Sequence, residues 1–376
     1  MSRREAWQSL LAIVTFTAAV TLPIAFVKGA PVYLLDQGST ALLALWVVGL
    51  AVAFTFRRAG PSDGADTLFI AAHTAAFLII LLLPAVTGHA AIGFWALLLT
   101  AWLLAWLLVT RLSFLRPRDP TFAALIRLAV PLLFGVWLLF LWEAVVRGAN
   151  VEQVILPAPS VIWVRLTGSL GVLWQDFRQT FLKAVIAGYA IGSGAGFIVA
   201  IVADRIPFLK RGLLPIGNLV SALPIIGVAP IMVMWFGFDW QSKAAVVAIM
   251  TFFPMLVNTV AGLSASEAME RDLMRTYAAG YWQSLFKLRL PAALPFIFNA
   301  LKINSTLAMI GAIVAEFFGT PIVGMGFRIS TEVGRMNIDM VWAEIAVAAL
   351  AGSAFYGVVS LIERTATFWH PSFRQS

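Results

Sequence analysis

The sequence predicts an all-α, polytopic membrane protein: a helical bundle of about ten transmembrane helices with the bilayer as its solvent. Of its 376 residues, 61% are hydrophobic and only 12% charged, a balance that would leave a water-soluble domain with far too much exposed apolar surface. The apolar residues also gather into runs of about 20, the length that crosses a hydrocarbon core. Basic residues punctuate these runs unevenly, collecting in alternate loops. The 14 tryptophans and 28 glycines suit interfacial anchoring and close helix packing.

The runs fall near residues 7–27, 40–56, 67–87, 91–110, 128–147, 180–203, 213–235, 243–263, 296–316 and 341–362. The first follows Arg3 and Arg4, as a signal peptide would, but it exceeds the ~7–15 apolar residues of a signal core, so a retained anchor helix is predicted. The second is short, and its start lies either near residue 40 or back toward Leu34. The stretch 111–127, with Arg116-Pro117-Arg118-Asp119-Pro120, is the most polar break of the first half. It divides an N-terminal four-helix extension, residues 1–120, from a six-helix core, residues 121–376. No sequence repeat relates the two, so the extension reads as an addition and not a duplicated half.

Cytoplasmic loops hold the excess of Lys and Arg in membrane proteins, which gives an independent check. With the N-terminus inside, the outer side receives eight basic residues: Lys28, Arg147, Arg165, Arg178, Lys183, Lys243, Arg328 and Arg335. The cytoplasmic side receives the other 18 of the 26. Both termini are then cytoplasmic, and Phe368, Trp369 and Phe373 in the tail read as inner-interface anchors.

Several function classes are disfavoured. A net charge of +8 could suit nucleic acid, but a nucleic-acid binder concentrates its basic residues on one face, and here they punctuate apolar runs. There is no cysteine, which removes disulfides, thiol catalysis and thiolate metal sites. His73, His89 and His370 are scattered without metal-ligand spacing, so no metal is expected. No lysine follows a glycine, which excludes a G-x-x-x-x-G-K-[ST] phosphate loop. Neither ATP nor another cofactor is therefore expected on this chain.

The segment 264–295 is the informative loop, long and polar on the predicted cytoplasmic side. Glu267, Glu270, Arg271, Asp272 and Arg275 alternate with Leu273, Met274, Tyr277, Ala278 and Tyr281, whose spacing of three and four makes an amphipathic helix. Ala278-Ala279-Gly280 follows as a small-residue turn, where glycine offers the positive φ of a helix reversal. Trp282-Gln283-Ser284-Leu285-Phe286 comes next, and Leu290-Pro291 and Pro295 mark re-entry into the bilayer.

On these residues the chain resembles the inner-membrane permeases of binding-protein-dependent ABC importers, in the branch of nitrate, sulfonate, taurine and pyrimidine-type importers. The resemblance spans about residues 121–376. It centres on Asp272-Leu273-Met274-Arg275-Thr276-Tyr277-Ala278-Ala279-Gly280-Tyr281-Trp282-Gln283 with Leu290-Pro291 beyond, which looks like the family's EAA loop. Ala222-Leu223-Pro224, Phe253-Pro254, the run 294–317 and Gly324-Met325-Gly326 add to it. Asp272 stands where glutamate is usual, Leu273-Met274 replace two alanines and Ala278 occupies the usual glycine position, the glycine requirement moving to Gly280. The resemblance implies a coupling helix seated in a groove of a separate ATPase, which binds the ATP and Mg, with Asp272, Tyr277, Ala278, Ala279, Gly280, Trp282, Leu290 and Pro291 at the contact. It implies as partners ABC ATPase subunits, an extracytoplasmic solute-binding protein and a second permease copy or paralogue, in the inner membrane and surrounded by its lipid. Read without the resemblance, the amphipathic helix could equally rest on the membrane surface.

Three polar residues of the ninth run are candidates for the translocation path. Glu316, near its outer end, either shapes an outer gate or caps the next segment or pairs with Arg328. Asn304 and Thr306 either line the path or join neighbouring helices. The rival to an ABC permease is an ion-gradient-driven secondary transporter, which should show paired broken helices with membrane-embedded acids. An intramembrane enzyme would need a catalytic constellation that the sequence lacks. The stretch 308–318 resembles the pyrimidine and riboflavin subgroup of that family, which implies a pyrimidine- or riboflavin-like heteroaromatic solute, with sulfonate, taurine or nitrate as the alternative.

Overall fold

A computed structural model describes residues 3–27, 29–36, 46, 65–221, 225–319 and 322–369. The span expected at 40–56 falls outside the described residues except for residue 46, as do Lys28, Ala222-Leu223-Pro224, His370 and Phe373. The described elements are helical apart from one short hairpin, and seven helices are long and apolar enough to cross a membrane. The chain divides into two compact units, Met1–Trp163 and Val164–Ser376.

The first unit begins with α1 (Arg3–Thr21), whose residues Ser9, Ala12, Phe16 and Ala19 recur at helical spacing and are buried. The run expected to continue to 27 stops there. Pro23 cannot extend a helix interior, and Ala25–Val27 (β1) instead pairs antiparallel with Ala30–Val32 (β2), turning at Gly29 with φ +82°. This hairpin is the departure from the all-α expectation. Among the described residues of this unit come next α2 (Ala65–Val86), α3 (Ile92–Phe114) and α4 (Pro120–Gly148). α3 is the most enclosed, burying Phe94, Leu97, Leu104 and Leu107 against Leu68, Leu78 and Ile79 of α2. Asp119 caps α4: its carboxylate accepts from the Thr121 hydroxyl (2.6 Å) and N–H (3.1 Å), and these bonds hold its pKa below the ordinary aspartate value. Trp137 of α4 belongs to the first unit's core.

The second unit contains α5 from Val164 on (α5, Pro159–Gly168), α6 (Leu170–Phe177), a π-helical stretch Arg178–Val185 and α7 (Ile186–Arg205), the last three forming one 36-residue span. The span expected at 213–235 overlaps α8 (Pro207–Ser221) and α9 (Ile225–Phe236), each with an internal proline; its middle, residues 222–224, lies outside the described residues. Then come α10 (Trp240–Leu263), the loop helices α11 (Ala268–Thr276) and α12 (Tyr281–Ser284), a π-helical turn Leu285–Arg289, α13 (Leu290–Glu316), α14 (Met325–Gly334) and α15 (Ile338–Ala366).

α10 sits between α7 and α13 at the centre of this unit. Gly188, Gly192 and Gly196 of α7 face its backbone so closely that a Cβ at Gly188 would lie 2.5 Å from the carbonyl oxygen of Ala244. Spaced by four, they form a small-residue stripe that lets the two helices approach, the usual basis of helix association in lipid.

Candidate coupling site and outer clasp

α11 starts with a capping box in which the Glu267 N–H donates to Glu270 Oε2 at 3.0 Å. It buries none of its residues. Met269 (80% exposed), Leu273 (57%) and Tyr277 (78%), each four residues after the last, leave an apolar stripe uncovered. The stripe expected from spacing thus divides, because Met274 is half-buried and Tyr281 turns toward the bundle. Asp272, on the surface, pairs with Arg275 at 3.3 Å.

The reversal after α11 differs from the expectation. The Ala279 N–H donates to Met274 O (3.0 Å) and the Ala278 N–H to Arg275 O (2.9 Å), a Schellman closure with Ala278 at φ +51°. The left-handed residue is therefore Ala278, at the family's usual glycine position, and not Gly280. Gly280, with φ −69°, instead caps α12, its N–H donating to Gln283 Oε1 at 3.1 Å. An alanine held left-handed costs about 1–2 kcal/mol, which the two closing hydrogen bonds help offset. Trp282 and Phe286 stack beyond the turn with ring centroids 6.0 Å apart, both exposed. Leu290 and Pro291 begin α13, and Leu290 packs beside the buried Leu263, Leu285 and Ala293.

What fastens this loop was not foreseen from the sequence. Arg289 grips Asp204 at the end of α7 with two bonds of 2.7 Å, while its Nε donates to Leu263 O at 2.9 Å. The Asp204 side chain is 4% exposed and that of Arg289 18%. The Tyr281 hydroxyl lies 3.2 Å from Asp204 Oδ2, and the Arg205 guanidinium sits 4.8 Å from the Tyr281 ring centroid. One arginine therefore ties the exit of the loop to the ends of both α7 and α10. An aspartate standing among Arg205, Lys210 and Arg211 was the available signal.

At the other end of α13, Glu316 is buried. Its Oε1 accepts from Thr180 Oγ1 (2.8 Å) and its Oε2 from the Gly326 N–H (2.7 Å), so it caps the start of α14. Arg328 does not pair with it but with Asp176 (2.8 Å), which also accepts from the Gly324 N–H (2.7 Å). Burial works against the Arg328 charge, but the Asp176 bond and charge outweigh it and hold the guanidinium above its ordinary pKa. Lys243, fully buried, donates to Phe238 O (2.7 Å) and to Gly319 O. Asp239 caps α10; partial burial raises its carboxyl, but bonds from Gln179 and the Trp240 N–H and the charges of Lys183 and Lys243 bring it below the usual value. These bonds clasp the end of α13 to the start of α14.

The remaining candidates separate. Asn304 is buried, donating to Ser193 Oγ (2.9 Å) and Thr251 O (2.7 Å), and so joins α7, α10 and α13. Thr306 is exposed on a stripe with Phe296, Asn299, Ile303 and Ile310. The structure brings no three metal-binding side chains together among the described residues.

Comparison with known proteins agrees with this architecture. Residues 192–367 match the family described as binding-protein-dependent transport system inner membrane component. The chain is 30% identical to a riboflavin transport system permease protein of Chloroflexus aurantiacus over 237 residues, which is 62% of this chain and 88% of that one. It is 30% identical to a formylaminopyrimidine transport permease protein of Halalkalibacterium halodurans over 243 residues, 64% and 95% of the two. With a putative aliphatic sulfonates transport permease protein of Bacillus subtilis the identity is 28% over 244 residues, 64% and 88%. The clamped loop thus lies in a chain that belongs to the binding-protein-dependent inner-membrane component family, as an ABC importer permease subunit that works with an ATPase and a solute-binding protein.

Proposed function

We propose that residues 264–295 are the element by which this permease takes up force from its ATPase, with Leu273 and Tyr277 as the docking face and Asp272, Ala278, Ala279, Gly280 and Trp282 around it. The observation that carries this is an apolar stripe left uncovered on a helix whose exit is clamped to two central helices. An amphipathic helix laid in a groove needs such a stripe. ATP and Mg belong to the ATPase in this reading, and the permease carries no cofactor.

Both termini are cytoplasmic in the proposed orientation. It places 18 of the 26 basic residues on the cytoplasmic side, where Lys and Arg are in excess. A second copy or a paralogue completes the path, and what supports a role for Thr306 is its place with Asn299 on the exposed face of α13. Glu316 acts on that path by holding the outer clasp, and Asn304 by fixing helix spacing.

The solute is a heteroaromatic of the flavin or pyrimidine class, a reading supported by the similarity to the riboflavin and formylaminopyrimidine permeases above. Proteoliposomes holding the permease with its ATPase and binding protein are expected to accumulate riboflavin or formylaminopyrimidine only with internal ATP, and equally well with ionophores present. Uptake of taurine in place of both would overturn the solute class; uptake abolished by ionophore and indifferent to ATP would overturn the coupling.

A further inference from the structure

Two grooves of the first unit meet between α3 and α4. The one farther from the connecting loop has a volume of about 460 Å³ and is walled by Trp102, Trp106, Phe134 and Trp137. The other, about 430 Å³, opens beside the loop and is bordered by Arg116 and Arg127. Ser113 borders both, so they form one trough, apolar and aromatic along its length and basic at its mouth. Each part is within the ~300–1,000 Å³ of small-molecule sites.

We propose that this trough binds one anionic glycerophospholipid, its phosphate between Arg116 and Arg127 and an acyl chain along Trp106, Phe134 and Trp137. Both arginines are exposed and neither has an ion-pair partner among the described residues. They flank a helix connection at the end of two membrane spans, the level at which headgroups lie. Trp137 forms the floor, 2% exposed, while Trp106 and Phe134 stand as half-exposed walls. A free phosphate or a polar solute would leave that aromatic length unfilled. A zwitterionic lipid would fill it but leave a net positive mouth. An anionic lipid satisfies both parts at once, and a cationic mouth selects it by about fivefold per arginine.

The test uses the full chain, purified in detergent and titrated with phosphatidylglycerol or phosphatidylcholine of identical chains, with bound lipid counted by native mass spectrometry. Wild type is expected to retain phosphatidylglycerol on the order of tenfold more tightly or better. Arg116→Gln with Arg127→Gln should remove that preference while leaving phosphatidylcholine binding and the melting temperature unchanged, since both side chains are on the surface. Trp106→Ala with Phe134→Ala should weaken both lipids alike. Equal affinity of wild type for the two lipids, or an undiminished preference in the double arginine variant, overturns the proposal. So does full competition by glycerol 3-phosphate, which would make the mouth a free-phosphate site, or lipid excluded by a bound protein chain.

Discussion

Gly192→Val is expected to leave a chain that inserts but does not pack, because a side chain at 192 collides with Thr251 Oγ1 and the Ala248 carbonyl oxygen. Backbone cannot move aside as a flexible side chain can, so the cost should reach or exceed the upper end of the ~1–3 kcal/mol typical of overpacked cores. Size-exclusion and thermal melting in detergent read the effect: an aggregated profile and no cooperative transition. Gly194→Val on the same helix is the control, since a Cβ there meets nothing within 4 Å and the position is exposed. Equal melting of the two variants would show that the α7–α10 approach is not as close as described.

Asp204→Ala should have the second large effect, and of a different kind. It leaves the Arg289 guanidinium with only the Leu263 carbonyl, stranding a largely buried charge. Breaking a buried pair costs ~3–5 kcal/mol, with the lower end appropriate here because Arg289 keeps 18% of its side chain exposed. Loss of stability alone would lower uptake and ATP hydrolysis together. The clamp predicts more: in the folded fraction the solute imported per ATP hydrolysed should fall several-fold, because the loop then moves without pulling α7. Arg289→Ala should give the same ratio, and the double variant should not be additive with either. An unchanged ratio in all three would leave the clamp a purely structural contact.

Much of the fold was legible because hydropathy and charge report the solvent directly. Runs such as 91–110 and 243–263 reappear as α3 and α10, since a bilayer demands continuous helix. The hairpin after α1 was hidden because an apolar stretch too short to cross is indistinguishable from the end of a span. In the loop, helical periodicity located α11, which is local. The Asp204–Arg289 clamp joins residues 85 positions apart and leaves no local pattern. Ala278 defeated propensity reasoning, since glycine two residues later looked the natural home for a positive φ. Only the hydrogen-bond register of the helix end distinguishes them. Glu316 was readable as either gate or cap until the Gly326 N–H was placed against it.

The most direct measurement uses the absence of cysteine in this chain, which lets Tyr277→Cys supply a single thiol. Labelled with a thiol-reactive photo-crosslinker in the assembled transporter, Tyr277→Cys and Leu273→Cys should cross-link to the ATPase subunit, with a yield that changes on ATP binding. Val333→Cys, exposed on α14 beyond the opposite end of α13, should not. Efficient labelling at 277 and 273 with no cross-link to the ATPase, or a cross-link from 333 instead, would contradict the account.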